Sequence, residues 1–240
     1  MTFLVNLIKV KGVVIKEVTY KENDKIITLL TDTLGKVACI ARGAKRTNSP
    51  ILANCQYLVY SEFILYKSKN FYYINSAEVI DTFYNLRVDF DKLTYVFEIT
   101  RILNSVTDEN QDTLNILKLF LNTLFAIDKL GKDINVINAI FKIKLFQLLG
   151  FAPRVKDCIN CKNDLENGEI YYDYVSNSFY CGNCVGEDKR RYIKLSKSTL
   201  IAIRYVLAAD LKKIFAFELK NTKDFKLFGQ VYSDAMTSSI

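Results

Sequence analysis

At 240 residues, half of them apolar, the chain is long enough for one or two domains with real cores, and it carries a formal charge of +7. It contains no histidine, which removes Ser-His and Cys-His catalytic pairs, histidine general bases and mixed zinc sites. Glycine is scarce and scattered, so there is no phosphate-cradling loop, and an enzyme is not expected.

The charge is concentrated at the N-terminal end. Residues 1–50 hold Lys9, Lys11, Lys16, Lys21, Lys25, Lys36, Arg42, Lys45 and Arg46 against Glu17, Glu22, Asp24 and Asp32. Met1–Ile8 is too short and lacks the basic start of a secretory signal. The most apolar stretch, Ile134 to Leu149, has Lys142 and Lys144 inside it and does not read as a membrane span. The expectation is a cytosolic chain without a membrane segment, where paired cysteines bind metal more often than they form disulfides.

The first eighty residues read as five strands: Val10–Thr19, Lys25–Thr31, Lys36–Arg42, Cys55–Lys67 and Phe71–Ile80. Short hairpin turns and one longer interruption after the third strand suggest a small barrel of the OB type. An SH3-like barrel or a plain meander would give much the same pattern. On the fourth strand Tyr57, Val59, Phe63 and Leu65 share a core face, with Tyr60, Glu62 and Tyr66 opposite. Tyr60 and Tyr66, with Tyr72 on the next strand, are candidate platforms for unpaired bases; the plainer reading is half-exposed strand positions. The loop Arg42-Gly43-Ala44-Lys45-Arg46-Thr47-Asn48-Ser49-Pro50 places three cations within five residues, followed by hydroxyls, which suits phosphate contacts. The plainer reading there is a solvated basic face.

From residue 82 the period becomes helical, after a domain boundary expected around Asp81–Val88. Helices are expected over Asp89–Asn104, from Asp112 or Thr113 to Lys129, from Asp133 to Leu149, from Ser196 to Ala208, and from Asn221 or Thr222 onward. Between the third and fourth lie two C-x-x-C pairs, Cys158/Cys161 and Cys181/Cys184, nineteen residues apart. That is the spacing of a structural zinc site, in which two turns complete a tetrahedron of thiolates. Gly and Asn beside each pair permit the left-handed backbone that aims N–H groups at sulfur. The intervening sequence reads as a hairpin around Ser176-Asn177. The expected cofactor is one structural Zn²⁺ per chain, at a closed site that does not activate water. A redox role for the thiols, helped by the basic run Lys189, Arg190 and Arg191, is the competing reading. Cys39 and Cys55 read as buried small apolar groups.

In this order the parts resemble one family, the bacterial recombination mediator RecO. The resemblance rests on Lys11-Gly12-Val13-Val14 and on the run Asp24-Lys25-Ile26-Ile27-Thr28-Leu29-Leu30-Thr31 followed by Gly35-Lys36. It continues in Ala41-Arg42-Gly43-Ala44-Lys45-Arg46, in Leu149-Gly150-Phe151-x-Pro153 before Cys158-x-x-Cys161, and in Leu195-Ser196. It implies an α+β protein: a five-stranded OB-fold DNA-binding domain over 1–81, then an all-α domain over 82–240 with a four-cysteine zinc ribbon inserted at about 155–192. It implies a DNA repair and recombination mediator, cytoplasmic and nucleoid-associated, that is not an enzyme. Such a protein binds single- and double-stranded DNA and anneals complementary strands. With RecR it helps load RecA onto DNA coated by single-strand binding protein. The residues expected to contact DNA are Arg42, Lys45 and Arg46, with Lys11 and Lys36 in support; Cys158, Cys161, Cys181 and Cys184 would hold the zinc. The rival readings are a zinc-ribbon and OB module that binds RNA, and a redox-regulated zinc chaperone.

Overall fold

The computed structural model describes residues 6–238, the side chain of Lys189 excepted; of the stretch Met1–Ile8, residues 1–5 lie outside the described residues. The chain forms two compact units, Met1–Leu124 and Phe125–Ile240.

The first unit is built on a closed five-stranded barrel. Its strands are β1 (Leu7–Tyr20), β2 (Asp24–Thr31), β3 (Lys36–Ala41), β4 (Tyr60–Ser68) and β5 (Phe71–Asp81), joined in the order β1-β2-β3-β5-β4. Neighbours are antiparallel except β3 and β5, which run parallel through Cys39↔Tyr72 and Ile40↔Tyr73. This is the OB-type barrel the sequence suggests, and the parallel closing pair distinguishes it from a meander. Alternation builds the core: Val10 and Val14, Ile27 and Leu29, Val37 and Cys39, Phe63 and Leu65, and Tyr72 and Ile74 point into one buried cluster. β1 is long enough to pair on both sides because it bends at a register shift between Val14 and Lys16.

One turn is held strictly, by a segment that is distant in sequence. Gly35, at φ +72, closes the β2–β3 turn so tightly that a Cβ there would lie 2.2 Å from the Asp108 carbonyl oxygen. Lys36 N–H donates to that same oxygen at 2.9 Å, tying the turn to the segment after the second helix.

The fourth strand starts at Tyr60, not at Cys55. Ile51, Cys55 and Leu58 are buried, but at a spacing of three to four residues. They belong to helical-type turns, in which Cys55 N–H donates to the Ile51 carbonyl at 3.2 Å. Tyr57 is therefore off the strand; its ring stacks on Phe97 at 4.9 Å and its hydroxyl meets Thr100 Oγ1 at 2.7 Å. The expected boundary loop contains a short helix, α1 (Tyr84–Val88). Helix α2 (Phe90–Val106) follows, with Asp89 Oδ1 accepting from Lys92 N–H at 3.1 Å as its N-cap. Helix α3 (Leu114–Lys129) runs from the first unit into the second.

The second unit is helical with a small sheet. Helix α4 (Ile134–Leu148) is buried nearly all round and is capped by Asp133. Helix α5 (Lys197–Ala208) is capped by Ser196, and α6 (Lys223–Thr237) packs along α4. Lys144, inside α4, donates to the carbonyls of Val206, Leu207 and Ala209 at 3.2, 3.1 and 2.8 Å, a cation at the C-terminal end of α5.

Between α4 and α5 lie β6 (Ile170–Asp173), β7 (Ser178–Cys181) and β8 (Tyr192–Leu195), in the order β7-β6-β8. The expected hairpin is present, with Asn177 at φ 48 in its turn; β8 is an additional strand. The inner face of this sheet joins the helical core: Tyr172 meets Phe179 at 5.2 Å and Phe228 at 4.8 Å, and Phe228 stacks on Tyr232 at 5.5 Å. Among the described residues, no helix is long and apolar enough to cross a membrane.

Candidate functional site

Two constellations carry chemistry, one in each unit. The first is the end of the barrel where β3 runs out. Arg42, Lys45 and Arg46 are all exposed there. Ala44, fully buried, anchors their loop. Gly43, at φ +67, donates its N–H to Asp24 Oδ1 at 2.8 Å, and Lys45 N–H donates to the Asn23 carbonyl at 3.0 Å. The basic loop is thus pinned by its backbone to the β1–β2 turn, which leaves its three cationic side chains facing solvent.

Beside it stands an aromatic stack. Tyr66 on β4 and Tyr73 on β5 are register partners whose rings stack at 5.1 Å and 14°. The Arg42 guanidinium lies 4.7 Å from the Tyr73 ring centre. Phe71, at the tip of the β4–β5 turn, is 54% exposed. Tyr66 is where the sequence put it, on the outer, half-buried face of β4. Tyr60 shares that face six residues away. Tyr72 does not: it is 5% exposed and belongs to the barrel core, so it offers no open ring face. The outward residue is its neighbour Tyr73, which the alternation of β5 would have given once Ile74 was fixed as inward.

The other two candidate cations are elsewhere on the barrel. Lys36 opens β3 and Arg42 is the residue after its end, about 20 Å away at the usual rise per residue. The Lys36 ammonium donates to the Asn104 carbonyl. Lys11, exposed on β1, sits across from Glu62 in register, and its N–H donates to Asp32 Oδ1 at 3.0 Å. Lys25 is paired with Glu17. The structure therefore groups Arg42, Lys45 and Arg46 and leaves Lys11 and Lys36 apart from them.

The second constellation is the cysteine cluster. The sulfurs of Cys158, Cys161, Cys181 and Cys184 all lie within 4.8 Å of one another. Cys161 and Cys181 Sγ are 3.7 Å apart, against about 3.8 Å for the edge of a tetrahedron with metal–sulfur bonds of about 2.3 Å. Each pair sits on a tight turn, closed by Lys162 N–H to the Cys158 carbonyl at 3.0 Å and by Cys184 N–H to the Cys181 carbonyl at 2.9 Å. The left-handed residue of the first turn is Lys162, at φ 62, and none of the neighbouring Asn or Gly takes that role. Gly182 serves close approach instead, since a Cβ there would lie a tight 3.2 Å from Glu169 Cβ.

The electrostatics ask for a cation. Burial works against ionising Cys158, yet backbone N–H groups of Cys161, Cys181 and Asn160 bring its thiol down to about 6. Hydrogen bonding from Cys161 and Cys181, helped by burial, pushes Cys184 up to about 12, and burial followed by Cys161 raises Cys181. Four sulfurs this close cannot all be thiolates unless a positive ion lies among them. The donor set fits a tetrahedral metal with no open position.

Two family models match the chain, the second of them across the boundary between the two units. Residues 4–83 match the family model described as Recombination protein O N terminal, and residues 87–227 match Recombination protein O C terminal. A protein named DNA repair protein RecO from Acetivibrio thermocellus is 36% identical over 217 residues, covering 90% of this chain and 86% of the relative. Proteins of the same name from Caldicellulosiruptor saccharolyticus and Alkaliphilus metalliredigens are 34% and 32% identical, with 86% and 87% of this chain covered and 83% and 84% of theirs.

Proposed function

The chain belongs to the RecO family of DNA repair proteins, and on that premise we propose that it is a recombination mediator that binds DNA, anneals complementary strands and, with RecR, helps load RecA onto DNA coated by single-strand binding protein. The observation that carries the DNA-binding part is the solvent-facing trio Arg42, Lys45 and Arg46 beside the Tyr66–Tyr73 stack at one end of the barrel. In this reading, residues 1–81 are the DNA-binding domain and 82–240 the helical domain that carries the ribbon. The protein works in the cytoplasm on the nucleoid, and breaks and makes no covalent bonds.

The chemistry is electrostatic and planar. Lys45 and Arg46 neutralise phosphates and release condensed counterions, giving affinity that is blind to sequence and falls with salt. The layer of Arg42, Tyr73 and Tyr66 offers a planar surface on which an unpaired base stacks. Lys11 and Lys36 extend the positive surface toward the other end of the barrel. Two strands held on one neutralising surface lose most of their mutual repulsion, and bases presented by the sugar–phosphate side can find their complements. Cys158, Cys161, Cys181 and Cys184 would hold Zn²⁺, which would fix the two turns and take no part in annealing.

The deciding experiment is annealing of two complementary oligonucleotides at several salt concentrations, bare and coated with single-strand binding protein. Acceleration at low salt that persists on coated strands is expected. Absence of acceleration, with the metal confirmed bound, would sink the mediator reading and direct the search to RNA.

A further inference from the structure

Between β1 and α2, within the first unit, lies a cavity of about 480 Å³ whose walls include Lys16 and Glu17, Tyr57, and Phe97, Arg101 and Asn104. We propose that it is a subsite for one nucleotide of a single strand whose path begins at the basic loop. This rests on the DNA-binding reading of the barrel and adds a second place of contact, on a helix beyond residue 81.

Three observations point that way. The first is the outward face of α2. Phe90, Thr94, Phe97, Arg101 and Asn104 recur every three or four residues and are all exposed, with no carboxylate in the row. Phe90 is 81% and Phe97 52% exposed, two large rings where a solvated helix face ordinarily shows polar or charged side chains. Phe97 stacks on Tyr57 at 4.9 Å and 19° and also lines the cavity, so the pair has ring surface left for a third planar group.

The second is a pair of cations with nothing to hold. Lys16 on β1 and Arg101 on α2 are both exposed, and among the described residues their charged groups have no hydrogen-bond, ion-pair or ring partner. The carboxylate of the wall is already committed: Glu17 Oε2 pairs with Lys25, and its Oε1 accepts from Tyr57 N–H at 3.4 Å. Free cations beside an aromatic pair suit an anion joined to a planar group. A nucleotide is that combination. Its phosphate meets Lys16 or Arg101, its base extends the ring stack, and the Asn104 amide offers a donor and an acceptor to the base edge.

The third is continuity, which favours a nucleic-acid strand over an acidic peptide as the occupant. Past the register shift between Val14 and Lys16, alternation puts Lys16, Val18 and Tyr20 on one outward face of β1. All three are exposed, and the Lys21 ammonium lies over the Tyr20 ring, 5.2 Å from its centre. At the usual rise per residue this row covers about 13 Å. It ends at the β1–β2 turn, whose Asn23 carbonyl and Asp24 carboxylate hold the basic loop. A strand leaving Lys45 and Arg46 can therefore follow Tyr20 and Val18 into the cavity.

The test is strand length. Oligothymidylates of about 4 to 16 nucleotides, the span of single OB-fold sites, are titrated against the full-length protein by fluorescence anisotropy. Affinity should rise once a strand reaches from the loop to the cavity. Phe97→Ala is expected to remove that rise, weakening the longest strand roughly fivefold to a hundredfold and the shortest hardly at all. Arg101→Ala should also remove it and flatten the salt dependence on long strands by about 0.7. Arg101 is exposed and unpartnered, so its variant keeps the test decisive if Phe97→Ala disturbs the Tyr57 stack. Long strands carrying iodouracil should crosslink to Phe97 or Tyr57 on irradiation. Paired Lys45→Ala and Arg46→Ala should weaken short and long strands alike. If that pair binds weakly while Phe97→Ala and Arg101→Ala match the wild type at every length, the cavity is out of the path and the loop stays in it. Wild-type protein that ignores single strands altogether overturns both readings. An acidic peptide bearing one phenylalanine, bound by the wild type and lost in both cavity variants while DNA binding is unchanged, gives the cavity to a protein partner and overturns the proposal.

Discussion

The Arg42 guanidinium lies over the ring of Tyr73, 4.7 Å from its centre, and the other partner of that ring is Tyr66, 5.1 Å away. Cation, ring and ring form one layered platform contributed by the end of β3, by β5 and by β4. Stacking of a base on such a face is worth about 1–3 kcal/mol. Tyr73→Ala is therefore expected to weaken single-strand binding by roughly fivefold to a hundredfold, while duplex binding, whose bases are already stacked, changes little. Fluorescence anisotropy with matched single- and double-stranded probes checks this. Equal losses on both probes would remove Tyr73 from the role of base platform.

Lys45 and Arg46 differ from Lys36 in what already holds them. Their side chains face solvent, whereas the Lys36 ammonium donates to the Asn104 carbonyl. Paired Lys45→Ala and Arg46→Ala should weaken binding across all sequences and flatten the salt dependence by about 0.7 per lost contact on single strands. Lys36→Ala should change the slope less than either. An unchanged slope in the paired variant would take this loop out of the interface.

The cysteine cluster makes a compositional prediction: purified protein should contain about one zinc per chain, measured by elemental analysis. Cys158→Ser removes the sulfur held by three backbone N–H groups. It should cut metal affinity by more than the roughly 10–100-fold typical of changes around the ligands. Thermal stability should fall more than DNA affinity does at a temperature where the protein stays folded. The reverse order would place the ribbon in the DNA site.

Asp173 gives the small sheet an acid-sensitive joint. Burial alone would raise its pKa, but Arg191, the Ser176 hydroxyl and Val175 N–H together hold it below the usual carboxylate value of 3.8. A depressed folded-state pKa means stability that is present above the unfolded value and is lost as pH falls through the folded one. Asp173→Asn should therefore cost about 1.5–3 kcal/mol at neutral pH. That difference should shrink below about pH 4, as followed by denaturant unfolding at several pH values. A difference constant down to pH 2 would mean the ion pair is not what the substitution removes.

What could be read in the sequence was what is decided locally. Asp89, Asp133 and Ser196 cap their helices because capping needs only a side chain and N–H groups two or three residues away. The inward alternation of Val37, Cys39 and Ala41 announced β3, and the cysteine spacing announced the cluster. What escaped depends on distant partners or on phase. Cys55 and Leu58 looked like strand because they are apolar and near a strand, yet their spacing serves helical-type turns. Choosing Tyr72 over Tyr73 was an error of one residue, which in a strand is an error of face. The short β8 exists because Ile170–Asp173 offers it a free edge, a fact about tertiary pairing with no local mark. The left-handed Lys162 closes the turn of the first cysteine pair at a residue whose own preference gives no sign of it.

The closure of the barrel has a mechanical consequence. Four of its five joints are long antiparallel ladders, while β3 and β5 are joined by two residue pairs alone. A ring opens where it is least tied, so amide exchange should be faster at Cys39 and Ile40 than at Ile27 or Phe63. Arg42 follows one side of that joint and Tyr73 lies on the other. A strand gripped by both would act as a clasp across the hoop, and its arrival would register as slower exchange along the joint, in amides it never touches.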